Sequence, residues 1–360
     1  MSFSLKDQIY HPAYVHALAG ALQQVDPRIS ATAFAEKALN ESWEGLALKE
    51  RMRHLTQCLH HFLPQGYAKA IDLLKEVIED LAEHNFANLI FPDYVEQYGL
   101  EDLDLSLDAL EFFTLYGSSE FGVRPFIKQY EQVTMQRMRQ WAEHENHHLR
   151  RLASEGCRPR LPWGMALSKF MEDPTPILPI LERLKADPED YVYRSVANNL
   201  NDISKDHPHL VLDIAERWHG VHPHTDWAVK HGLRTLLKRG NPRAMQLFGF
   251  GNPHKMKVET LELNLPLSIG EELHFSFSLH LPEKAKVRLE YAVDYLKKRG
   301  TYSRKVFKIS EKEIGAGTHT IHKKQWFKDF STRKHYPGEH FLSIIVNGVE
   351  LIRTSFELQA

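Results

Sequence analysis

His147 to Glu155 reads HHLRRLASE, Val192 to Leu200 reads VYRSVANNL, and Ala228 to Leu236 reads AVKHGLRTL. With Arg150, Arg194 and Lys230 in register, the three stretches are offset by 44 and 36 residues. Each combines apolar positions at helical spacing with a cation on another face, and each follows a separate amphipathic stretch. Offsets of roughly 35 to 47 residues belong to stacked helix pairs, in which every unit buries its apolar face against the next. The stretches therefore predict an all-α, HEAT-like helical solenoid.

Outward from these copies, apolar residues recur at helical spacing from about residue 14 to residue 248, as in Ile71, Leu74, Ile78 and Leu81. Pro64, Pro92, Pro125 and Pro208 punctuate the pattern. GFGNPH, Gly249 to His254, ends it, and the period then changes to two. Leu273, Phe275, Phe277, Leu279 and Leu281 alternate with His274, Ser276, Ser278 and His280, which predicts a strand with one buried face. FLSIIV, then Asn347-Gly348, then VELIRTSFEL reads as a hairpin with a two-residue turn. Roughly seven strand candidates in the last 105 residues predict an all-β immunoglobulin-like sandwich at the C-terminus. The expected division is a helical domain at 1–250 and a β module at 256–360.

Hydrophobic residues make up 42% of the chain, and no run approaches the 18 or so apolar residues of a membrane span. The start, MSFSLKDQIYHPAY, lacks a basic, apolar leader, so the expectation is a cytoplasmic protein, without membrane partners and acting as a monomer. Cys58 and Cys157 are the only cysteines and read as free thiols. The net charge of −2 hides an uneven distribution. Residues 1–120 hold 8 Lys and Arg against 19 Asp and Glu, residues 121–255 hold 20 against 15, and residues 256–360 hold 17 against 13. The local field beyond residue 120 suits an anionic partner.

Arg150 to Gly164, RRLASEGCRPRLPWG, sets Arg150, Arg151, Arg158 and Arg160 beside a proline-rich turn and Trp163. Guanidinium forks match phosphate oxygens, and an indole offers a stacking face. On a helix over about Tyr191 to Lys205, Val192, Val196, Leu200 and Ile203 form the buried stripe, while Arg194, Asn198, Asp202 and Lys205 share another face. Lys230, Arg234 and Lys238 make a basic stripe in the next copy. From Leu296 to Lys334 twelve Lys or Arg face three Asp or Glu, interleaved with Tyr302, Trp326 and Phe327. Lys297, Lys298, Arg299, Lys323 and Lys324 stand out there as candidate phosphate contacts, though lysines also protect exposed strand edges.

Two further patterns concern chemistry. His144-Glu145-Asn146-His147-His148 matches H-E-x-x-H, which on a helix gives two histidines on one face, but with 22 histidines in the chain roughly one such sequence in ten matches by chance and no third ligand stands out. No metal and no cofactor is expected. In GSSEFGVRPF, Gly117 to Phe126, Glu120 reads either as a helix-capping carboxylate or as a partner of Asp202. Two carboxylates in a basic groove can stabilise a sugar cation.

GSSEFGVRPF, RRLASEGCRPRLPWG, SVANNLNDISKDHP and AVKHGLRTLLKRGNP together resemble the AlkC branch of the bacterial AlkC and AlkD DNA-alkylation-repair glycosylases, over essentially residues 1–250. The β module is similar to the immunoglobulin-like extension of one AlkC subgroup. The resemblance implies a monofunctional DNA N-glycosylase of base excision repair, a DNA-3-methyladenine glycosylase with 3-methylcytosine as a further substrate. Its partner would be duplex DNA containing alkylated bases. By the same resemblance Glu120 faces the deoxyribose, Asp202 supplies the second carboxylate, Trp163 lies against the lesion or sugar, and Phe121 supports it. Arg150, Arg151, Arg194, Lys230 and Arg234 become phosphate contacts, joined by Arg158 and Arg160. At Asn198, a lesion-contact candidate, this chain has an amide where an aligned AlkD helix places an aromatic, which shifts that contact toward Trp163. The competing expectation is a non-catalytic helical-repeat scaffold that binds structured DNA or a protein partner.

Overall fold

The computed structural model describes residues 4–330 and 333–360, so Met1–Phe3 of the N-terminal stretch and Ser331 and Thr332 of the basic C-terminal stretch lie outside the described residues. The chain is about half helical with a C-terminal all-β domain, and it divides into two compact units, 1–207 with 217–232, and 208–216 with 233–360. Among the described residues no helix is long and apolar enough to cross a membrane.

In the first unit the three sequence copies become the helices His147–Gly156, Asp190–Ile203 and Pro223–Gly232, and each packs on the next. Asn146 caps the first of these by accepting the His148 amide at 2.8 Å. In the second, Val192, Val196, Leu200 and Ile203 are buried, as their spacing requires. Each such side chain contributes about 1.5–3 kcal/mol by leaving water. The contact with the third helix is close because Gly232 has no side chain: a Cβ there would sit 2.9 Å from the Leu200 Cβ. The helices Glu131–Trp141 and Leu178–Leu184 supply the amphipathic partners ahead of the first two copies.

One sequence expectation fails locally, and the H-E-x-x-H match that the sequence already discounted is interrupted. The third copy is not one helix: it ends at Gly232, turns at Leu233 and restarts as Arg234–Lys238, so Lys230 and Arg234 do not share a continuous helical face. The H-E-x-x-H stretch is also broken. Helix Glu131–Trp141 stops before it, the His144 ring accepts the Asn146 amide at 2.9 Å in a turn, and the next helix starts only at His147. His144 and His148 therefore lack the shared helical face that the motif needs.

In the second unit the described residues form β1 (Lys257–Leu263), β2 (Leu267–Ser268), β3 (Glu272–Leu281), β4 (Ala285–Leu296), β5 (Tyr302–Ile314), β6 (Gly317–Trp326), β7 (Gly338–Val346) and β8 (Val349–Gln359). One sheet runs β1-β3-β6 and the other β2-β8-β7-β4-β5. Their inner faces supply one core, in which Phe275, Phe277 and Leu279 meet Leu289, Val293, Leu342 and Ile344. Asn347 and Gly348 turn the β7–β8 hairpin with φ of 45° and 80°, the left-handed pair that a two-residue hairpin turn demands.

This unit extends beyond the β strands. The helices Arg234–Lys238 and Pro242–Leu247 belong to it, because a Cβ on Gly240 would meet the Gly348 carbonyl at 2.3 Å and the Asn347 amide donates to the Gly251 carbonyl at 2.7 Å. Compactness thus groups residues 233–250 with the β module, where the change of periodicity suggested a division at 250.

Candidate active site

The first unit holds a cleft of about 390 Å³ lined by Asn85, Phe86, Leu89, Gly117, Ser118, Glu120, Phe121, Arg151, Glu155, Arg158, Leu161, Pro162, Trp163 and Tyr191. That volume is at the low end of small-ligand sites, roughly 300–1,000 Å³. Four aromatic side chains surround two carboxylates and two guanidinium groups. Phe86, Trp163 and Tyr191 are all exposed, an arrangement that leaves stacking faces open to a flat ligand.

One wall is the loop Gly117–Val123. The Ser119 hydroxyl pins it by donating to the Leu110 carbonyl at 2.7 Å. Gly122 lets it pass under a neighbouring backbone, since a Cβ there would meet the Pro92 carbonyl oxygen at 2.6 Å. Glu120 consequently projects into the cleft. Ser118 and Arg151 both donate to its Oε2, and Oε1 accepts no hydrogen bond from the described residues.

A second wall is the loop Cys157–Met165, which contributes Arg158, Leu161, Pro162 and Trp163. Arg124, fully buried, donates Nε to the Met165 carbonyl at 2.6 Å and Nη1 to the Gly156 carbonyl at 2.8 Å, so it clasps both ends of the loop. Burial pushes its pKa down to about 10, a cost accepted for two carbonyl contacts that no shorter side chain reaches. At the tip Trp163 adopts φ of 65°, the left-handed region that bulky residues avoid, and the residue stays 57% exposed. Lys49 donates to the Trp163 carbonyl at 2.7 Å.

Behind the cleft runs a chain of alternating charges. Arg151 joins Glu120 to Glu155, which lies 3.6 Å from its Nη2. Glu155 meets Arg158 at 2.6 Å, Arg158 meets Asp202 at 3.0 Å, and Asp202 meets Lys205 at 2.9 Å. Burial pulls the Arg151 and Arg158 guanidinium groups toward neutrality, but the adjoining carboxylates outweigh it and hold both above the ordinary arginine value. Arg151 also lies over the Tyr191 ring, 4.7 Å from its centroid. Partial desolvation raises the Tyr191 hydroxyl above its usual pKa, although the residue as a whole stays exposed. Glu155 has both oxygens engaged, Oε1 by the arginines and Oε2 by the Ser195 hydroxyl at 2.6 Å.

The structure brings Glu120, Phe121, Trp163, Arg151 and Arg158 together and corrects several expectations. Asp202 is buried, has both oxygens paired and does not line the cleft; Glu155 is the second carboxylate there. Asn198, on the same helix as Asp202, is also absent from the lining. Arg151 and Arg158, expected as phosphate contacts, direct their donors to carboxylates of the protein itself. Arg150 spends its donors on Asp187 at 2.6 Å and on the carbonyls of His144 and Glu145, closing the turn before its own helix. Arg160 pairs with Asp206. Arg194 is exposed, paired with Asp190 at 3.0 Å and stacked over Trp227. Lys230 is exposed and Arg234 half-buried.

In the second unit, Lys297, Lys298 and Arg299 line a shallow pocket of about 390 Å³ with Thr301, Arg333, Lys334 and Tyr336. Lys323 and Lys324 are exposed on β6, the latter paired with Glu272 at 2.8 Å. Tyr302 and Trp326 are exposed, but Phe327, just past the end of β6, is wholly buried in the core of the sandwich. Glu155, Tyr191, Phe86 and Lys49 escaped the sequence reading. Only Glu155 had a local signal, its spacing of four from Arg151 and three from Arg158.

A helical-repeat unit whose cleft buries carboxylates among aromatic rings, followed by an immunoglobulin-like module, is the architecture of a DNA-alkylation-repair protein. The sequence model of the DNA alkylation repair enzyme family matches residues 114–236, and that of the C-terminal Ig-like domain of protein YhaZ matches residues 257–360. The chain is 46% identical to protein YhaZ of Bacillus subtilis (strain 168) over 345 residues, 95% of this chain and 96% of that one. It matches the solved structure of Pseudomonas fluorescens alkylpurine DNA glycosylase AlkC bound to DNA containing an abasic site analog, with a TM-score of 0.93 and 39% identity, over 99% of this chain and 100% of that one. The chain belongs to the AlkC family of DNA-alkylation-repair proteins, in the branch that carries the C-terminal immunoglobulin-like domain.

Proposed function

We propose that this protein is a monofunctional DNA N-glycosylase that excises cationic N3-alkylated bases, 3-methyladenine foremost and 3-methylcytosine as well, from duplex DNA. The observation that carries this reading is Glu120: a carboxylate that accepts from Arg151 and Ser118 through one oxygen, with its other oxygen unclaimed among the described residues, in a cleft walled by Phe86, Phe121, Trp163 and Tyr191.

The chemistry needs little more. An N3-alkylated base carries positive charge before it leaves, so it departs neutral when the C1′–N bond breaks and takes the bonding electrons, and no strong general acid is required. Positive charge then develops on the deoxyribose, and a nearby carboxylate stabilises it in a site poor in water. The free oxygen of Glu120 also orients a water molecule, whose oxygen adds to C1′ while its proton passes to the carboxylate and on to solvent. The products are the free base and an abasic site.

The aromatic faces suit a delocalised cation. Glu155, tied between Arg151 and Arg158, keeps the cleft close to charge balance, so a cationic base is not repelled. Arg160, Arg194, Lys230 and Arg234, with Lys297, Lys298, Arg299, Lys323 and Lys324 of the β module, are the proposed phosphate contacts. In this reading the protein works as a cytoplasmic monomer on chromosomal DNA.

The test is incubation of purified protein with methylated duplex DNA and resolution of each released base. Release of 3-methyladenine is expected. Tight, salt-sensitive DNA binding without any released base would replace this reading with that of a scaffold.

A further inference from the structure

Trp163 poses a mechanical problem. Its backbone occupies the left-handed region at φ 65°, and the residue is 57% exposed, so neither local preference nor deep packing fixes it. Its loop must be held by its backbone. Arg124 holds the ends, through the Gly156 and Met165 carbonyls. The tip is held by a residue far away in sequence: Lys49, near the start of the helix Leu48–Phe62, donates to the Trp163 carbonyl at 2.7 Å. The same ammonium lies 5.4 Å from the centroid of the Phe121 ring, on the other wall of the cleft.

We infer that Lys49 is a positioning residue that sets the separation of Trp163 and Phe121 across the cleft. This inference rests on the glycosylase reading above for its effect on rate, though not for its effect on Trp163. Lys49 does not line the cleft, so it acts through the two aromatic residues and not on the reacting atoms. Asp93 and Glu96, which Arg53 fixes at 2.8 and 3.3 Å, lie within the field of the same ammonium. Lys49 lies in the acidic first third of the chain, outside the 114–236 segment that matches the repair-enzyme family, and gives that first third a direct part in shaping the cleft. An ammonium suits this position because it satisfies a strained carbonyl and lies against an aromatic ring at once.

The test compares Lys49→Met, which keeps the stem without the charge, with Lys49→Arg, in the full chain. Because Lys49 is exposed, Lys49→Met folds, which circular dichroism checks. The protein is labelled with 5-fluorotryptophan, and the Trp163 resonance among the six tryptophans is assigned with Trp163→Phe. Lys49→Met should shift or broaden the Trp163 resonance. It should also lower the single-turnover rate of base release at least about tenfold while the Kd for alkylated duplex stays within about twofold. Lys49→Arg should restore both. An unmoved Trp163 resonance overturns the inference, as does weaker, less salt-sensitive DNA binding at an unchanged rate, which would make Lys49 a phosphate contact. If the unmodified protein releases no base, the glycosylase reading fails by itself, and the fluorine signal still decides whether Lys49 holds Trp163.

Discussion

Glu155 and Asp202 share one guanidinium. Arg158 gives Nη1 to Glu155 at 2.6 Å and Nε to Asp202 at 3.0 Å, and all three residues are buried. The first repeat helix, which carries Glu155, is thereby tied to the second, which carries Asp202, and the tie ends at the cleft. Removing one carboxylate from this chain disturbs its neighbours, whereas Glu120 has an oxygen that serves nothing else among the described residues. Loss of charge at Glu120 should therefore affect chemistry, and loss of charge deeper in the chain should affect stability first.

Glu120→Gln keeps the shape and removes the negative charge proposed to face the sugar. The single-turnover rate of 3-methyladenine release should fall by about 10²–10³, the usual cost of losing one preorganised charge contact, with DNA affinity nearly unchanged. Rapid-quench measurement with protein in excess reads the rate directly. A rate within threefold or so of the unmodified protein would remove Glu120 from the mechanism.

Arg158→Met leaves Glu155 and Asp202 buried with less compensation. Breaking a buried pair costs about 3–5 kcal/mol, and the lower end is expected here because Arg151 still serves Glu155 and Lys205 still serves Asp202. Denaturant unfolding of the helical unit should show it as a lower midpoint at constant slope. Asp202→Asn should be milder.

Gly122→Ala places a Cβ 2.6 Å from the Pro92 carbonyl oxygen and 2.9 Å from the Leu110 side chain. The loop must move, carrying Glu120 with it. A stability loss of about 1–3 kcal/mol is expected together with a reduced excision rate, and a variant that loses neither would show that the loop has slack.

Replacing Lys297, Lys298 and Arg299 by glutamine removes three cations around the shallow pocket of the β module. If these are phosphate contacts, the slope of log K against log salt should flatten by roughly 0.9 for each phosphate that is no longer neutralised. Binding titrations across a salt series measure this. An unchanged slope would leave the pocket without a role in DNA binding.

His335 and His340 are buried in the sandwich, and burial holds both below the ordinary histidine value of about 6.5, with Asp329 partly opposing the shift at His335. Between the folded and unfolded values the unfolded chain binds more protons. The stability of the second unit is therefore complete above about pH 6.5 and declines as pH falls through the folded values. The midpoint of its thermal transition should be lower at about pH 5.5 than at about pH 7.5, and His340→Phe should shrink the difference. A midpoint that holds or rises on acidification would contradict the sign.

The sequence carried the parts of this protein that repeat or alternate. Three helical copies at 44 and 36 residues, a period of two from Leu273 to Leu281, and Asn347-Gly348 between apolar runs each express a local backbone preference, and the structure keeps them, with a break at Leu233 in the third copy. The cleft loops were legible as the motifs GSSEFGVRPF and RRLASEGCRPRLPWG, which also carried the family resemblance. Tertiary structure decided what those loops face. Arg150, Arg151 and Arg158 look alike in sequence, yet each turns to a carboxylate brought near by folding, Asp187, Glu120 with Glu155, and Glu155 with Asp202, because a cation leaving water must take a partner with it. Tertiary structure also decided which carboxylate stands second in the cleft and which distant lysine holds Trp163. Periodicity is written in neighbours along the chain. Pairing of charges depends on which helices pack together, and that is set by the cores of the whole unit.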